Sequence, residues 1–368
     1  MKRTLLLALA ISVSSIASAQ WTFYGLATGA DNAFVTDITA NGQYAAGSSG
    51  LNAFRWTPSG GMQIIPGASM QNGNVHISDD GQRLSGVAFG GDGKRRASYY
   101  DMSVGTWNTL EQPDGYTMTG LDSNLNSAWG MSGSGNLIAA AAYDANSRYK
   151  PVVYDIANGT HTILPSQAAL NTTSHARPNG ISGDGSTIVG WDSSTSTRRA
   201  AVWKNGTQVL FDAAAAGEAN GVSTNGNFVF GFRTNLPTIW DAALAPTTLA
   251  LPSGFNRGAA ASGTDDGRMV VGYAQVGITV STRRAVIWID GAPLLLSDWA
   301  LANGMSLGTY TLTTGLHIAP DGSAISGWGS GEGSTQAGFI MANPVPEPAT
   351  IGALILGLGA LARRRRKN

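Results

Sequence analysis

The sequence predicts an all-β protein, a seven-bladed β-propeller closed by an N-terminal strand. Three observations support this fold: a Gly-containing turn recurs seven times, strand-like segments follow each copy, and a spare apolar strand precedes the first. We expect the propeller to occupy residues 20–342. Residues 1–19 have the features of a signal peptide, and residues 343–368 form a separate C-terminal segment.

The turn of each repeat contains a Gly that is followed five positions later by a small residue. Asn, Asp or Ser precedes the Gly, and a Ser or Thr stands three residues before it in six of the seven copies. Asn-Gly and Asp-Gly favour two-residue hairpin turns with positive φ at both positions, so we expect such turns here. The pairs are Gly42/Gly47, Gly81/Gly86, Gly135/Ala140, Gly185/Gly190, Gly226/Gly231, Gly267/Gly272 and Gly322/Gly327.

Two further strands follow each hairpin. The third strand carries Ala or Pro with an aromatic residue three positions later in six copies, and a fourth, apolar strand comes next. Four short strands in each unit are typical of a propeller blade. A β-solenoid is the alternative, but the uneven spacing of 39 to 55 residues between repeats argues against it. The third-strand pairs are Ala53/Trp56, Ala97/Tyr100, Pro151/Tyr154, Ala200/Trp203, Pro237/Trp240, Ala285/Trp288 and, in the seventh copy, Ala337/Ile340.

The seventh copy lacks a fourth strand of its own. The apolar segment Trp21–Leu26 lies before the first copy and can supply it. We therefore expect this segment to pair with Gly338–Met341, because closure of the ring removes exposed sheet edges.

The repeat also resembles a known family. In the fourth copy, Ile181-Ser182-Gly183-Asp184-Gly185 is followed by Val189-Gly190 and then by Ala200 and Trp203. With this form, Ile-Ser-x-Asp-Gly, Val-Gly and Ala-x-x-Trp, the segment from Thr22 to Met341 resembles the extracellular HAF-type repeat proteins.

The N-terminus predicts export. Lys2-Arg3 form a charged region, Leu5 to Ile16 are mostly apolar, and Ala17-Ser18-Ala19 match a cleavage site before Gln20. The chain contains no cysteine, so neither disulfides nor thiolate chemistry contribute to its stability or function.

The C-terminus has three parts in a fixed order. Val345-Pro346-Glu347-Pro348 precede an apolar run from Ala349 to Ala362, and Arg363, Arg364, Arg365 and Arg366 follow that run. Positive charge after the run places the preceding chain outside the inner membrane. This order resembles the PEP-CTERM sorting signal, which exosortases process; an ordinary tail anchor is the alternative.

The PEP-CTERM resemblance implies a partner and a location. The precursor would be held in the inner membrane by its C-terminal helix until the exosortase processes it. The mature protein would reach the cell envelope, outer surface or extracellular matrix of a Gram-negative bacterium. Families with this tail are associated with exopolysaccharide and biofilm, which implies an anionic exopolysaccharide as a partner.

Charge is distributed unevenly over the body. Residues 20–346 hold 16 basic and 22 acidic side chains, a composition that excludes nucleic-acid binding. Twelve of the basic residues fall in loops that open on one face of a propeller, opposite the Asp-Gly turns. Arg pairs recur there in three blades and predict an anion-binding face, although long loops also collect charge without function. These candidate residues are Arg95, Arg96, Arg198, Arg199, Arg283 and Arg284.

Motifs for catalysis or metal binding are missing from the sequence. The four histidines, His76, His161, His175 and His317, lack metal-ligand spacing, and no cofactor or metal site is predicted. His76 and His317 come before first strands, so they can approach each other across the channel. We expect a non-enzymatic binding or matrix protein. The alternative is a secreted glycan hydrolase or lyase, which two or three converging carboxylates at the channel mouth would favour.

Overall fold

The structure, a computed structural model, describes residues 20–27, 32–70, 73–114, 126–144, 148–166, 175–193, 197–211 and 215–343. Their strands form seven four-stranded antiparallel sheets, the blades of a propeller. The predicted seven-bladed fold is confirmed. The first strand of each blade is innermost, and the only α-helix in the described residues is α1 (Leu296–Ala302).

The strands are numbered in chain order. Blade one holds β2 (Ala33–Ile38), β3 (Ala45–Ser49), β4 (Asn52–Thr57) and β5 (Gly61–Ile65); blade two, β6 (His76–Ile77), β7 (Arg83–Phe89), β8 (Arg95–Asp101) and β9 (Thr106–Thr109); blade three, β10 (Asn126–Met131), β11 (Leu137–Tyr143), β12 (Tyr149–Asp155) and β13 (Thr160–Ile163); blade four, β14 (Ala176–Ile181), β15 (Thr187–Asp192), β16 (Arg199–Lys204) and β17 (Thr207–Leu210). Blade five holds β18 (Gly217–Val222), β19 (Val229–Arg233), β20 (Leu236–Trp240) and β21 (Pro246–Thr248); blade six, β22 (Arg257–Gly263), β23 (Met269–Gln275), β24 (Arg284–Ile289) and β25 (Ala292–Leu295); blade seven, β26 (Thr311–Ile318), β27 (Ala324–Gly331), β28 (Ser334–Ala342) and β1 (Thr22–Leu26).

The turns between first and second strands differ from the prediction of two-residue hairpins. Only the Gly has positive φ in them, as at Gly185, whose N–H donates to the carbonyl of Ser182 three residues earlier. The Ser182 hydroxyl donates to Asp184 and accepts the N–H of Thr187. A Ser or Thr, not a second positive φ, therefore organises the turn. Two-residue turns with two positive φ values do occur between third and fourth strands, at Asn205-Gly206 and Asp290-Gly291.

The predicted aromatic residues of the third strands lie in the core between blades. Trp56, Trp203, Trp240 and Trp288 are at most 2% exposed. The indole N–H of Trp203 donates to the carbonyl of Pro165 in the preceding blade, and that of Trp288 to Ala250. These residues therefore fix the angle between neighbouring blades while burying large apolar surfaces.

The ring closes as the sequence predicts. Strand β1 pairs antiparallel with β28, from Thr22 opposite Ala342 to Leu26 opposite Gly338. Trp21 meets Trp299 of α1 edge to face, with the ring centroids 4.9 Å apart. The closing strand is thus bound both by its hydrogen-bond ladder and by aromatic packing.

Four pairs of adjacent blades, namely two and three, three and four, four and five, and six and seven, are also joined by a backbone hydrogen bond at the turn ends of the inner strands. Gly133 donates to Gly183, and Gly183 donates to Thr224, each 2.8–2.9 Å from nitrogen to oxygen. At the equivalent position in blade seven stands Pro320, which accepts a bond from Asp265 but has no N–H to donate to blade one. No such bond joins blade seven to blade one, and among the described residues none joins blades one and two or blades five and six.

Deleting Trp21–Leu26 should leave the edge of β28 unpaired and allow chains to associate through it. We expect a lower melting temperature and concentration-dependent aggregation, measured by calorimetry and light scattering on the full-length chain. A monomeric deletion variant with the wild-type melting temperature would contradict closure by this strand.

Candidate ligand-binding site in the central channel

The inner strands of all seven blades surround a cavity of about 640 Å³. This volume falls within the range of small-molecule sites, roughly 300–1,000 Å³. One mouth lies at the Asp-Gly turns. The other lies at the opposite ends of the strands and is called the arginine mouth below, defined by Arg177, Arg283, Glu218 and Tyr273 in the lining.

β-Bulges in the inner strands direct side chains into the cavity. Six inner strands have a register shift against their neighbours in the blade, and in each strand an extra residue lines the cavity. Strand β26 has a second shift, whose extra residue does not line the cavity. Bulges commonly re-aim side chains at functional sites. These residues are Thr36, Trp129, Asn179, Asn220, Ala261 and Leu316.

Blades three to five build one wall of the arginine mouth. The Arg177 guanidinium lies 3.6 Å from the Trp129 ring centroid and donates to Asn179. Glu218 accepts from Arg198 at 2.9 Å and lies 3.5 Å from Arg177. Burial lowers the pKa of Arg177, and the Glu218 carboxylate opposes that shift. One carboxylate therefore forms ion pairs with two guanidinium groups.

Blade six contributes a second arginine to the cavity lining. Arg283 lies 3.7 Å from the Tyr273 ring centroid, and its Nε and Nη2 donate to the amide oxygen of Gln275. Burial lowers the Arg283 pKa. Unlike Arg177, Arg283 has no ion pair with any described carboxylate.

The other half of the channel contains a histidine–aspartate–histidine cluster. Asp37 lies 3.4 Å from Nδ1 of His76 and 3.5 Å from Nε2 of His317, and it accepts the backbone N–H of Ile77. The cluster joins blades seven, one and two, where the backbone connection through Pro320 is missing. The expected approach of His76 and His317 is seen only in part, because both lie within strands and meet through Asp37 of the blade between them, not across the channel.

The two carboxyl groups near this cluster shift in opposite directions. Burial acts to raise the pKa of Asp37, but the positive charge of His317 and a hydrogen bond from His76 leave it lowered. Burial raises the pKa of Asp79, and the nearby Asp37 charge adds to that shift. Burial also lowers the pKa of His317. Burial of His317 and the Asp37 charge thus act on the His317 pKa in opposite directions, and burial is the larger effect.

The six candidate arginines begin or precede third strands, at the ends opposite the Asp-Gly turns. In the register, Arg95 stands opposite Phe89, far from the turn residue Asp80, and Arg199 stands opposite Asp192. Their surroundings differ. Arg96 forms an ion pair with Asp92 and Arg198 with Glu218, whereas Arg284 donates to backbone carbonyls. Anion binding by the set stays a prediction, and Arg283 is distinguished by its place in the cavity.

The remaining histidines lie away from this cluster. His161 is exposed on an outer strand, and His175 accepts the N–H of Tyr149 through Nδ1. The described residues contain no group of three His, Asp or Glu arranged to hold a metal ion.

Both predicted terminal segments lie outside the described residues. The signal peptide and the sorting residues Val345–Pro348 and Arg363–Arg366 therefore stay predictions. No helix of the described part is long and apolar enough to span a membrane.

Sequence reasoning missed Asp37, Glu218, Tyr273 and Gln275 as site residues. A signal was present, because each lies in a first or second strand of the repeat. The repeat pattern does not show which residues of these strands line the channel or pack against its arginines.

Comparisons with known proteins support the fold only. No family model matches the sequence, and no curated protein matches it. An oligogalacturonate lyase from Vibrio parahaemolyticus is 9% identical with a TM-score of 0.52, covering 89% of this chain and 98% of that one. The β-propeller domain of the Trilobed protease from Pyrococcus furiosus is 10% identical with a TM-score of 0.51, covering 83% and 94%. TolB from Acinetobacter baumannii is 15% identical with a TM-score of 0.43, and the alignment covers 72% of this chain but 62% of TolB.

The His317 pKa predicts how stability depends on pH. Because folding lowers that pKa, the unfolded chain binds the proton more readily, and stability falls as pH drops through the unfolded value of about 6.5. The contribution of Asp37 is retained above about 3.8 and is lost only at lower pH. We expect the melting temperature to fall between pH 7 and 5, and less steeply in His317→Asn. An unchanged slope in that variant would rule out His317 as a cause.

Proposed function

We propose that this protein is exported to the cell envelope or extracellular matrix and binds an acidic exopolysaccharide there without converting it. The ligand site is the arginine mouth of the channel. The observation that carries this proposal is Arg283, a partly buried cation in the cavity lining with no described carboxylate partner.

The charge balance at the mouth supports an anionic ligand. Arg177 and Arg283 line it, Arg198 reaches it through Glu218, and Glu218 pairs with both Arg177 and Arg198. Partly dehydrated guanidinium groups attract anions more strongly than fully solvated ones, because less water screens the interaction. The excess positive charge favours carboxylate- or sulfate-bearing glycans over neutral ones.

The position of the chain ends supports a ligand site at the arginine mouth. Ala342 pairs with Ala324, which lies two residues after the turn glycine Gly322, and Thr22 pairs with Ala342. Both ends of the described body therefore lie on the turn face. A precursor held by a C-terminal membrane helix would direct the arginine mouth away from that membrane.

The PEP-CTERM-like tail supports the location and the partner in processing. Pro346-Glu347-Pro348, the apolar run and the Arg cluster follow the body after Asn343. An exosortase would process this segment, and the body would then remain in the envelope or matrix.

A glycan-acting hydrolase or lyase is the second candidate. The opposed pKa shifts of Asp37 and Asp79 favour it, because paired carboxyls with separated pKa values can divide acid and base roles. Against it, the one carboxylate lining the described part of the arginine mouth is Glu218, and two arginines occupy it.

A glycan array separates the two candidates. The full-length chain in mild detergent should bind acidic polysaccharides, more weakly as salt increases, and should release no shorter products. Cleavage by the wild-type protein that is lost in Asp79→Asn would support the enzyme instead. Equal binding of neutral and acidic glycans would contradict an anionic ligand.

The sorting role has its own test. Replacing Arg363–Arg366 with Gln, or Pro346–Pro348 with Ala, should leave the unprocessed precursor in the inner membrane. Cell fractionation and the size of the chain report the outcome. Normal processing of both variants would refute the sorting signal.

A further inference from the structure

One hairpin of blade six holds the unpaired cation in a fixed orientation. Tyr273 and Gln275 belong to β23, and Arg283 stands just before β24. All three pack together, with Tyr273 and Arg283 in the cavity lining.

Two contacts fix the plane of the Arg283 guanidinium. The Tyr273 ring supports one face of the group, with 3.7 Å between Cζ and the ring centroid. Gln275 accepts from Nε at 3.2 Å and from Nη2 at 3.1 Å along one edge. A planar group held on a face and an edge loses little entropy when it binds a ligand.

Gln275 is itself held in place. Its amide nitrogen donates to the carbonyl of Gly277 at 2.9 Å, so its oxygen faces Arg283. The N–H of Gly277 donates in turn to Asn256 at 2.9 Å. These bonds prevent the amide from turning its nitrogen toward the cation.

The outer edge of Arg283 is available to a ligand. Nη1 makes no hydrogen bond to any described residue, and it is not sealed within the protein. With Nη2, which retains a second N–H, it presents two parallel donors. This pair matches the two oxygens of a carboxylate.

Arg177 in blade four provides an internal comparison. It has the same construction, with an aromatic ring on one face and the amide oxygen of Asn179 on the Nε–Nη2 edge. Glu218 lies 3.5 Å from its Nη2, so the protein itself supplies a carboxylate. The same construction recurs in blade six without that carboxylate.

We infer that Arg283 is the receptor for the carboxylate of a uronic acid residue, with Tyr273 and Gln275 as positioning residues. This inference rests on the proposed glycan-binding function. It adds the class of ligand, a uronic acid, and the side chain that binds its carboxylate. The ligand carboxylate pairs with Arg283 in the way that the Glu218 carboxylate pairs with Arg177.

The test uses calorimetric titration of the full-length chain with two probes. One is a trisaccharide of hexuronic acids, and the other is the same trisaccharide with its carboxyls reduced to alcohols. Arg283→Gln should weaken acidic-probe binding by roughly 10- to 100-fold, the loss of a charge-assisted contact, while leaving the neutral probe unaffected. Arg283→Lys should also weaken it, because an ammonium group cannot offer the parallel pair.

Arg268→Gln is the matched control, since it removes the same charge from an exposed ion pair with Asp290 on the turn face. It should change acidic-probe affinity by about twofold or less. The melting temperature of each variant shows whether it is folded. If Arg283→Gln is unfolded, the test uses Arg283→Lys, which keeps the positive charge. Full acidic-probe affinity in folded Arg283→Lys and Arg283→Gln would overturn the receptor while leaving glycan binding intact. Failure of both probes to bind the wild type would instead refute the proposed function.

Discussion

In five of the seven blades, the backbone of the inner strand comes very close to the glycine that stands five residues after the turn glycine. A Cβ on Gly190 would stand 2.1 Å from the carbonyl oxygen of Arg177, and one on Gly231 would stand 2.0 Å from that of Glu218. Such distances are too short for any side chain, so the Gly permits the inner strand to bulge over the second strand. Blade three carries Ala140 at this position and still bulges at Trp129, so the Gly makes room for the inner strand in most blades but is not required for a bulge.

The inner ring is regular in backbone but not in side chains. At the position after each bulge, blades three, four and five carry Gly130, Gly180 and Gly221, and their strands lie close together. The equivalent residues in blades seven, one and two are His317, Asp37 and His76. Polar side chains thus join the blades where Pro320 ends the backbone connection, and the channel acquires a polar cluster opposite its arginine mouth.

The sequence predicted the repeats, the blade number and the closing strand because each depends on local patterns of turns and apolar residues. It predicted the wrong turn type, since Ser182 and Asp184 satisfy the turn backbone through side-chain bonds that a Gly count does not show. It also grouped Arg96, Arg198 and Arg283 by their place in the repeat. Their partners differ, because Arg96 pairs with Asp92 in its own loop, Arg198 pairs with Glu218 of the next blade, and Arg283 pairs with no described carboxylate. The repeat pattern does not encode these loop-specific and inter-blade contacts.

Binding of an acidic glycan at the arginine mouth of the closed ring can be measured by hydrogen–deuterium exchange of the full-length chain, with and without a saturating acidic oligosaccharide. We expect slower exchange in the hairpin between β23 and β24 and at the starts of the inner strands, with no change at the Asp-Gly turns. Protection confined to the turn face, or none at saturation, would contradict it.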